Sequence, residues 1–228
     1  TRLFDFNQVI ESGITIVAKW VQAPTSVANL KVTSTSISTM NLTWTAQNVV
    51  GYEIYRATGT STSYAKIGES TLASYTSTAL SAGVSYSYKV RAYTLVNNLR
   101  VYGAFSPIAT GKPTPSTPIV SGVSVSYNSV KISWPAVSGA SAYQIYRATS
   151  ATGSYVYLTT TTSLSYTNAS LTTNATYYYK VRAYRTLTSG RLYGNYSSVI
   201  AVKPIPSTPT MSTSVLSYTS VKANWSAV

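Results

Sequence analysis

The stretch Tyr178-Tyr179-Lys180-Val181-Arg182-Ala183-Tyr184 decides the fold, because its side chains alternate in character with a period of two. In a β-strand successive side chains point to opposite faces of the sheet. One set is mostly apolar and is predicted to face a core: Tyr177, Tyr179, Val181 and Ala183. The other set is basic and aromatic and is predicted to face water: Tyr178, Lys180, Arg182 and Tyr184.

The same strand occurs 91 residues earlier, as Ser87-Tyr88-Lys89-Val90-Arg91-Ala92-Tyr93. Its lead-in recurs with it, because Leu80 and Tyr86 precede the first copy as Leu171 and Tyr177 precede the second. The repeat is too long for a solenoid, whose units span about 20–50 residues. The sequence therefore predicts a tandem array of separate domains, joined as beads on a string.

Composition argues against catalytic and metal chemistry. The 228 residues include no Cys and no His, and no Asp or Glu follows Glu69. Zinc and calcium sites need Cys, His or carboxylate ligands. General acid–base and nucleophilic catalysis use the same residue types. We therefore expect no enzyme activity, no cofactor and no metal site in this segment.

The net charge of +13 is compatible with a nucleic acid, an anionic membrane or an acidic cell-surface polymer. The cations are spread along the chain instead of forming a block, so we expect no specific nucleic-acid partner. No apolar run approaches the ~18 residues that indicate a spanning helix, so no membrane span is predicted in this segment. The candidate partners are other modules of the same long chain, neighbouring copies in a filament, and acidic cell-wall polysaccharide.

The chain is predicted to contain four segments. Residues 1–22 form the end of a small β module, and residues 24–113 and 114–204 form two complete units of seven short strands each. Residues 205–228 repeat the first two strands of a unit and form an incomplete third copy. A pair of strands is not stable alone. We expect either a continuation of the chain or strands from a neighbouring molecule to complete the third copy.

The two complete units resemble fibronectin type III domains. The resemblance implies an all-β fold of tandem immunoglobulin-like β-sandwiches. It also implies a tyrosine corner at Tyr86 and Tyr177, in which the phenol hydroxyl bonds to backbone in the lead-in from Leu80 or Leu171. The residues that carry the resemblance are predicted to lie in the two cores: Trp44, Tyr52, Ile54, Leu80, Tyr86, Trp134, Tyr143, Ile145, Leu171 and Tyr177.

The opening of the chain resembles the end of an internalin-type B-repeat, a small β module of bacterial surface proteins. The residues Thr15-Ile16-Val17-Ala18-Lys19-Trp20 carry this resemblance, with Val17 where the B-repeat motif has Tyr. An ordinary amphipathic hairpin is the alternative interpretation.

The outward set of the repeated strand, with its neighbours on the third strand, is the one candidate ligand face. Alternating Tyr and Arg side chains could stack on sugar or base rings, while Lys and Arg hold anionic groups. Alternatively, Tyr–Arg cross-strand pairs only stabilise the sheet and keep it soluble. Glu53 is expected on this face in an exposed ion pair with Lys89 or Arg91. The candidate residues are Tyr55, Lys89, Arg91, Tyr93, Tyr146, Tyr178, Lys180, Arg182 and Tyr184.

These features predict a non-catalytic structural or adhesive segment, a stalk or filament component, of a large extracellular bacterial surface protein. Two alternatives remain open. One is an accessory fibronectin type III spacer in a secreted polysaccharide-degrading enzyme, and the other is a weak binder of acidic cell-wall polymer. The predicted location is extracellular, at the bacterial cell surface.

Overall fold

The computed structural model describes residues 21–227, and all of their regular secondary structure is β-strand. Residues 1–20, which carry the predicted B-repeat-like hairpin, lie outside the described residues. The chain divides into two compact units, with the main division between Pro113 and Thr114. Across residues 21–227, no helix has the length and apolar character needed to cross a membrane. The fold is all-β, as the alternation in sequence predicts.

The first unit contains a β-sandwich of eight strands, called the first sandwich below. One sheet has the strand order β1-β2-β5, and the other has the order β4-β3-β6-β7, with β8 also paired to β6. The strands are β1 (Lys31–Ser36), β2 (Thr39–Thr43), β3 (Gly51–Thr58), β4 (Ala65–Ser70), β5 (Ser74–Ser77), β6 (Tyr86–Val96), β7 (Leu99–Tyr102) and β8 (Ala109–Gly111).

The second unit contains a sandwich with the same strand order, called the second sandwich. Its smaller sheet is β13-β10-β9, and its larger sheet is β12-β11-β14-β15, with β16 paired to β14. The strands are β9 (Ser121–Ser126), β10 (Ser129–Ser133), β11 (Ala142–Ala148), β12 (Val156–Thr161), β13 (Ser165–Asn168), β14 (Tyr177–Leu187), β15 (Gly190–Tyr196) and β16 (Ile200–Val202).

A hairpin follows the second sandwich, formed by β17 (Met211–Ser217) and β18 (Ser220–Trp225). The two strands pair antiparallel, and Met211 lies opposite Trp225. Every side chain of both strands is exposed, and Trp225 keeps 71% of its surface accessible. The hairpin thus has the two strands that the sequence predicts, and its completion by further strands stays a prediction.

Each sandwich has its own core between its two sheets, built from the alternating side chains that the sequence places inward. Trp44 packs its ring edge-on against Tyr52 at a centroid distance of 5.1 Å, and Trp134 lies 5.3 Å from Tyr143. The ten side chains predicted for the cores are all buried: Trp44, Tyr52, Ile54, Leu80, Tyr86, Trp134, Tyr143, Ile145, Leu171 and Tyr177. Burial of such large apolar side chains is the main favourable term in folding.

The predicted tyrosine corners are present in both sandwiches. The Tyr86 hydroxyl oxygen accepts a hydrogen bond of 3.0 Å from the backbone N–H of Ser81. The Tyr177 hydroxyl oxygen accepts one of the same length from the backbone N–H of Thr172. Both bonds fall immediately after Leu80 and Leu171, so this prediction is confirmed. The bonds satisfy the phenol oxygen while the ring stays buried.

The first sandwich has eight strands where the sequence predicts seven, because its last strand breaks into β7 and β8. Between them, the Ser106 hydroxyl accepts a hydrogen bond from the Val90 N–H at 3.1 Å, while the Ser106 N–H donates to the Val90 carbonyl at 2.7 Å. A Cβ at Gly103 would overlap the carbonyl oxygen of Pro24, which explains the glycine. Ser197 and Gly194 occupy the same roles in the second sandwich.

Candidate ligand face on the two larger sheets

The predicted ligand face lies on the outward side of the larger sheet in each sandwich. In the first sandwich Tyr55 is opposite Lys89 across β3 and β6, and in the second Tyr146 is opposite Lys180 across β11 and β14. The end of this face is not open to water, however. Tyr93 and Tyr184 were expected to be exposed, but they are only 7% and 6% exposed. Residues of β7 cover Tyr93 and residues of β15 cover Tyr184. The alternation of residues along one strand does not reveal contacts from a neighbouring strand.

Arginine and tyrosine side chains cover these two rings. The Arg100 guanidinium lies over the Tyr93 ring at 4.2 Å, and the Arg191 guanidinium lies over the Tyr184 ring at 4.8 Å. Tyr102 packs against Tyr93 in the same place where Tyr193 packs against Tyr184. Both arginines and both covering tyrosines belong to β7 or β15, the strand that turns back over β6 or β14. These contacts are cation–π and ring-packing interactions, which stabilise a sheet face.

Glu53 is the centre of the face in the first sandwich. Its side chain is on the outward side of β3, yet the residue is only 2% exposed. Arg91 donates to Glu53 Oε2 through Nε at 2.9 Å and Nη2 at 2.7 Å, and the Tyr55 hydroxyl donates to the same oxygen at 3.1 Å. Lys66 Nζ lies 2.6 Å from Oε1, and Arg100 Nη1 lies 3.2 Å from it. The expected ion pair with Arg91 is therefore present, but its carboxylate is buried under cations and not exposed as expected.

Lys89, the other expected partner of Glu53, instead contacts aromatic rings. Its ammonium lies 4.5 Å from the centroid of Tyr64 and 4.2 Å from that of Phe105. Register explains the choice of partner, because Arg91 stands directly opposite Glu53 while Lys89 stands opposite Tyr55.

A second carboxylate, Glu69 on β4, shares two of the cations that surround Glu53. Arg100 binds it through two bonds, Nη1 to Oε1 at 2.6 Å and Nη2 to Oε2 at 2.9 Å. Lys66 Nζ reaches the same Oε1 at 2.5 Å. Glu53 and Glu69 are opposite each other on β3 and β4, so Lys66 and Arg100 bridge two acids that would otherwise repel. The first sandwich therefore neutralises much of its own basic face.

The cations lower the pKa of both carboxyl groups. Burial raises the pKa of Glu53, but the hydrogen bonds from Lys66, Arg91 and Tyr55 outweigh it and bring this pKa down from 4.5 to about 2. The bonds from Arg100 and then Lys66 lower the pKa of Glu69 from 4.5 to about 2. Hydrogen bonds and positive charges favour the ionised form of a carboxyl group. Both groups are thus charged throughout the neutral and mildly acidic range.

The second sandwich keeps the arginine geometry but not the carboxylates. Gln144 stands where the first sandwich has Glu53, and its Oε1 accepts from Arg182 Nε at 2.9 Å and Nη2 at 2.8 Å. The Tyr146 hydroxyl donates to the same oxygen at 3.1 Å. An amide oxygen accepts these bonds but carries no full charge. The guanidinium charge of Arg182 therefore has no carboxylate partner within the second sandwich, since residues 114–204 contain no Asp or Glu.

The neighbouring positions on β12 and β15 also change character. Thr160 stands opposite Gln144, where the first sandwich has Glu69, and Tyr157 stands opposite Tyr146, where the first has Lys66. The Tyr157 and Thr160 hydroxyls lie 2.9 Å apart within hydrogen-bond distance. Tyr196 occupies the position of Phe105. Tyr157 and Tyr196 are 48% and 37% exposed, so this face offers phenol rings to solvent.

Lys180 and Arg182, the cations of this face on β14, contact tyrosine rings. Lys180 Nζ lies 4.3 Å from the ring centroids of both Tyr155 and Tyr196. The Arg182 guanidinium lies 4.0 Å from the Tyr193 centroid. Tyr178, also predicted for the face, is partly buried on β14. The second sandwich thus presents three cations among tyrosines with no carboxylate, where the first presents four cations and two carboxylates.

Comparison with known proteins identifies the kind of domain. Residues 22–99 match the family model described as Fibronectin type III domain. The chain contains a fibronectin type III domain. The second sandwich reproduces the strand order of the first, so the fold is one of tandem immunoglobulin-like sandwiches of the fibronectin type III class.

Two curated bacterial proteins share part of this sequence. Exoglucanase B of Cellulomonas fimi is 29% identical over 163 residues, which is 65% of this chain and 14% of that enzyme. An alpha-amylase of Niallia circulans is 37% identical over 93 residues, 39% of this chain and 7% of that enzyme. Among solved structures, the chicken CNTN1 FN1-FN3 domains align with a TM-score of 0.38 and 19% identity, covering 80% of this chain and 69% of that chain. The chain therefore spans only a small part of the length of the two enzymes.

Fibronectin type III domains are generally non-catalytic. In the part of the chain that the structure describes, no three His, Cys, Asp or Glu side chains cluster in a way that would hold a metal. What the face offers is guanidinium donors, an ammonium group and phenol rings. These groups bind anions and stack on planar or ring-shaped ligands.

Four residues of this face are not among those that the sequence predicts: Lys66, Glu69, Arg100 and Arg191. Lys66 and Glu69 lie on β4, which pairs with β3, and the arginines lie on β7 and β15, which pair with the repeated strand. The 91-residue repeat carries the missed signal, because it aligns Arg100 with Arg191 and Glu69 with Thr160. Comparing the two copies position by position would have shown that one copy alone has carboxylates here.

Proposed function

We propose that this chain is a non-catalytic fibronectin type III spacer of a secreted bacterial polysaccharide-degrading enzyme. The single observation that carries the proposal is the similarity to exoglucanase B, because its 163 aligned residues exceed one 91-residue repeat. The similarity to an alpha-amylase supports the same class of parent protein. In this role the two sandwiches separate other modules of the same chain, and the short Pro-containing joint between them restricts bending.

The absence of acids from residues 70–228 supports a non-catalytic role for the segment itself. Hydrolysis of a glycosidic bond ordinarily uses a pair of carboxylates flanking the bond. Glu53 and Glu69, the acids of the first sandwich, are instead occupied by Lys66, Arg91 and Arg100. Their lowered pKa values leave no protonated carboxyl group to act as a general acid near neutral pH.

Antibodies raised against this chain test the proposal on the natural parent protein. They should precipitate, from the culture medium of the producing bacterium, a protein whose hydrolysis of a polysaccharide such as cellulose or starch co-purifies with it. The recombinant chain should show no such activity. Recovery of a protein with no hydrolase activity that stays attached to the cell surface would contradict the proposal.

A stalk or filament component of a bacterial surface adhesin is the second candidate. The observation that favours it is the resemblance of Thr15–Trp20 to the end of an internalin-type B-repeat. In that role the partners would be other modules of a long surface chain and neighbouring copies in a filament. The same antibodies distinguish the stalk from the enzyme spacer, since they would label intact bacterial cells if the chain were part of a surface stalk.

A further inference from the structure

The two sandwiches differ at one place in a way that points to a ligand. In the first sandwich, the Glu69 carboxylate is held by both terminal nitrogens of Arg100 and by Lys66. This internal carboxylate shows what the arginine of that strand binds. In the second sandwich, the matching arginine is Arg191, and neither carboxylate of the first sandwich has a counterpart.

From this difference we infer that the second sandwich binds a carboxylate-bearing polysaccharide, with a uronic acid carboxylate held by Arg191 as Glu69 is held by Arg100. This inference goes beyond the spacer role and does not depend on which parent protein carries the chain. A planar guanidinium binds a carboxylate through two parallel hydrogen bonds, and such charge-assisted bonds are among the strongest in proteins. Arg191 is an exposed residue, so an external ligand can reach it.

Charge complementarity favours an acidic occupant. Lys180, Arg182 and Arg191 lie on one face, and residues 114–204 contain no carboxylate that would repel an anion. Arg182 already donates hydrogen bonds to the Gln144 oxygen. Its positive charge therefore attracts an anionic ligand, while the new hydrogen bonds come from Arg191. Cationic faces that contain no opposing charge raise the local concentration of anions.

The rings on this face favour a carbohydrate over an acidic peptide. Tyr157 and Tyr196 stand where the first sandwich has Lys66 and Phe105, and both are substantially exposed. Exposed tyrosine offers a flat ring for the apolar face of a sugar and a hydroxyl for its oxygens. Thr160 occupies the strand position of Glu69, and its hydroxyl lies 2.9 Å from that of Tyr157.

Titration of the full chain with three polymers tests the ligand class. Polygalacturonate is the probe, its fully methyl-esterified form is the control with the same sugar and no charge, and poly-L-glutamate is the control with the charge and no sugar. We expect polygalacturonate to bind about tenfold more tightly than either control, and this binding to fall steeply as salt rises to about 0.5 M. Equal binding of the esterified form, or binding that ignores salt, would overturn the inference. Equal or tighter binding of poly-L-glutamate would overturn the carbohydrate assignment in favour of an acidic peptide.

Variants of the full chain test the site. R191Q should lower the affinity for polygalacturonate about tenfold, and R191K should lower it less, because lysine keeps the charge but loses the paired bonds. T160E should lower the affinity at least as much as R191Q, because it supplies an internal carboxylate as Glu69 does in the first sandwich. The matched control is R100Q, the same change in the first sandwich, which should leave the affinity unchanged.

Each outcome separates the site from general charge effects. Thermal unfolding of every variant checks that the second sandwich still folds, and R191Q and T160E change exposed or half-buried positions at the sheet edge. Equal losses in R191Q and R100Q would show non-specific attraction and overturn the site. Unchanged binding in both R191Q and T160E would overturn it too.

Discussion

The two sandwiches place an arginine against an oxygen in the same geometry, although one oxygen is charged and the other is not. Arg91 reaches Glu53 at 2.9 and 2.7 Å, and Arg182 reaches Gln144 at 2.9 and 2.8 Å. The arginine also donates at 3.1 Å to a tyrosine hydroxyl in each case. The contact thus belongs to the framework of the sheet, and the charge of the acceptor is free to change between copies.

What the difference changes is the balance of charge on the face. A buried carboxylate requires several cations around it, because desolvation of an unpaired charge is costly. The first sandwich meets this requirement with Lys66 and Arg100 in addition to Arg91. An amide needs no such compensation, so the second sandwich can place Tyr157 where the first has Lys66. One substitution in the framework therefore releases several neighbouring positions for another use.

The largest expected effect on stability comes from disrupting the core of one sandwich and leaving the other intact. Trp134→Ala should lower the free energy of unfolding of the second sandwich by ~3–5 kcal/mol, because it empties a large aromatic site. Since each sandwich has its own core cluster, the first should lose little. Urea unfolding followed by amide NMR signals of Val90 and Val181 would report the sandwiches separately. The matched variant Trp44→Ala should reverse the pattern, and an equal loss in both sandwiches from either change would contradict the separate cores.

Low pH should destabilise only the first sandwich, because carboxyl groups are present in only one of the two sandwiches. The pKa of Glu53 is about 2 in the folded state and 4.5 ordinarily, so its stabilisation is complete above pH 4.5 and is lost as the pH falls toward 2. The shift corresponds to ~3 kcal/mol for the first sandwich. The same NMR unfolding at pH 6 and at pH 2 should show this loss for Val90 and none for Val181.

The variant Glu53→Gln is the control for the acid effect, because it gives the first sandwich the acceptor of the second. It should remove the Glu53 contribution to the difference between the two pH values and leave that of the more exposed Glu69. If wild-type Val90 and Val181 lost equal stability in acid, the cations would not be holding the carboxylates in the way described.

A smaller effect tests what the two sandwiches share. Tyr86→Phe and Tyr177→Phe each remove the hydroxyl that accepts a backbone N–H, so each should cost its own sandwich ~1 kcal/mol or somewhat more. The two costs should be similar, since both bonds are 3.0 Å long. Chemical denaturation of the two variants measures this, and a loss in one sandwich alone would mean that the corners are not equivalent.

Much of the fold follows from the sequence because alternation fixes which face of a strand each residue occupies. Tyr179, Val181 and Ala183 are buried as the period of two predicts, and the repeat extends this result to the first sandwich. The break in the last strand could not be predicted from alternation. It depends on the Ser106 hydroxyl, which accepts the hydrogen bond of the Val90 N–H, and on the close approach of Pro24 to Gly103. Both are contacts between segments far apart in the sequence.

The site was predictable to a lesser degree. Alternation placed Arg91 and Arg182 on the outward face, but it could not show that the neighbouring strands would cover Tyr93 and Tyr184. The binding of Glu69 by Arg100 joins residues 31 apart, on strands that flank β3 and β6. Only the order of strands in the sheet brings them together, and a linear pattern does not contain that order.

The central claim is that the first sandwich neutralises its basic face internally while the second leaves its face free for an acidic ligand. The most direct test is to follow the Nε–Hε NMR signals of all arginines in the full chain during titration with polygalacturonate. The account predicts shifts at Arg182 and Arg191, with those of Arg91 and Arg100 unchanged. Equal shifts in both pairs, or shifts in neither, would contradict it.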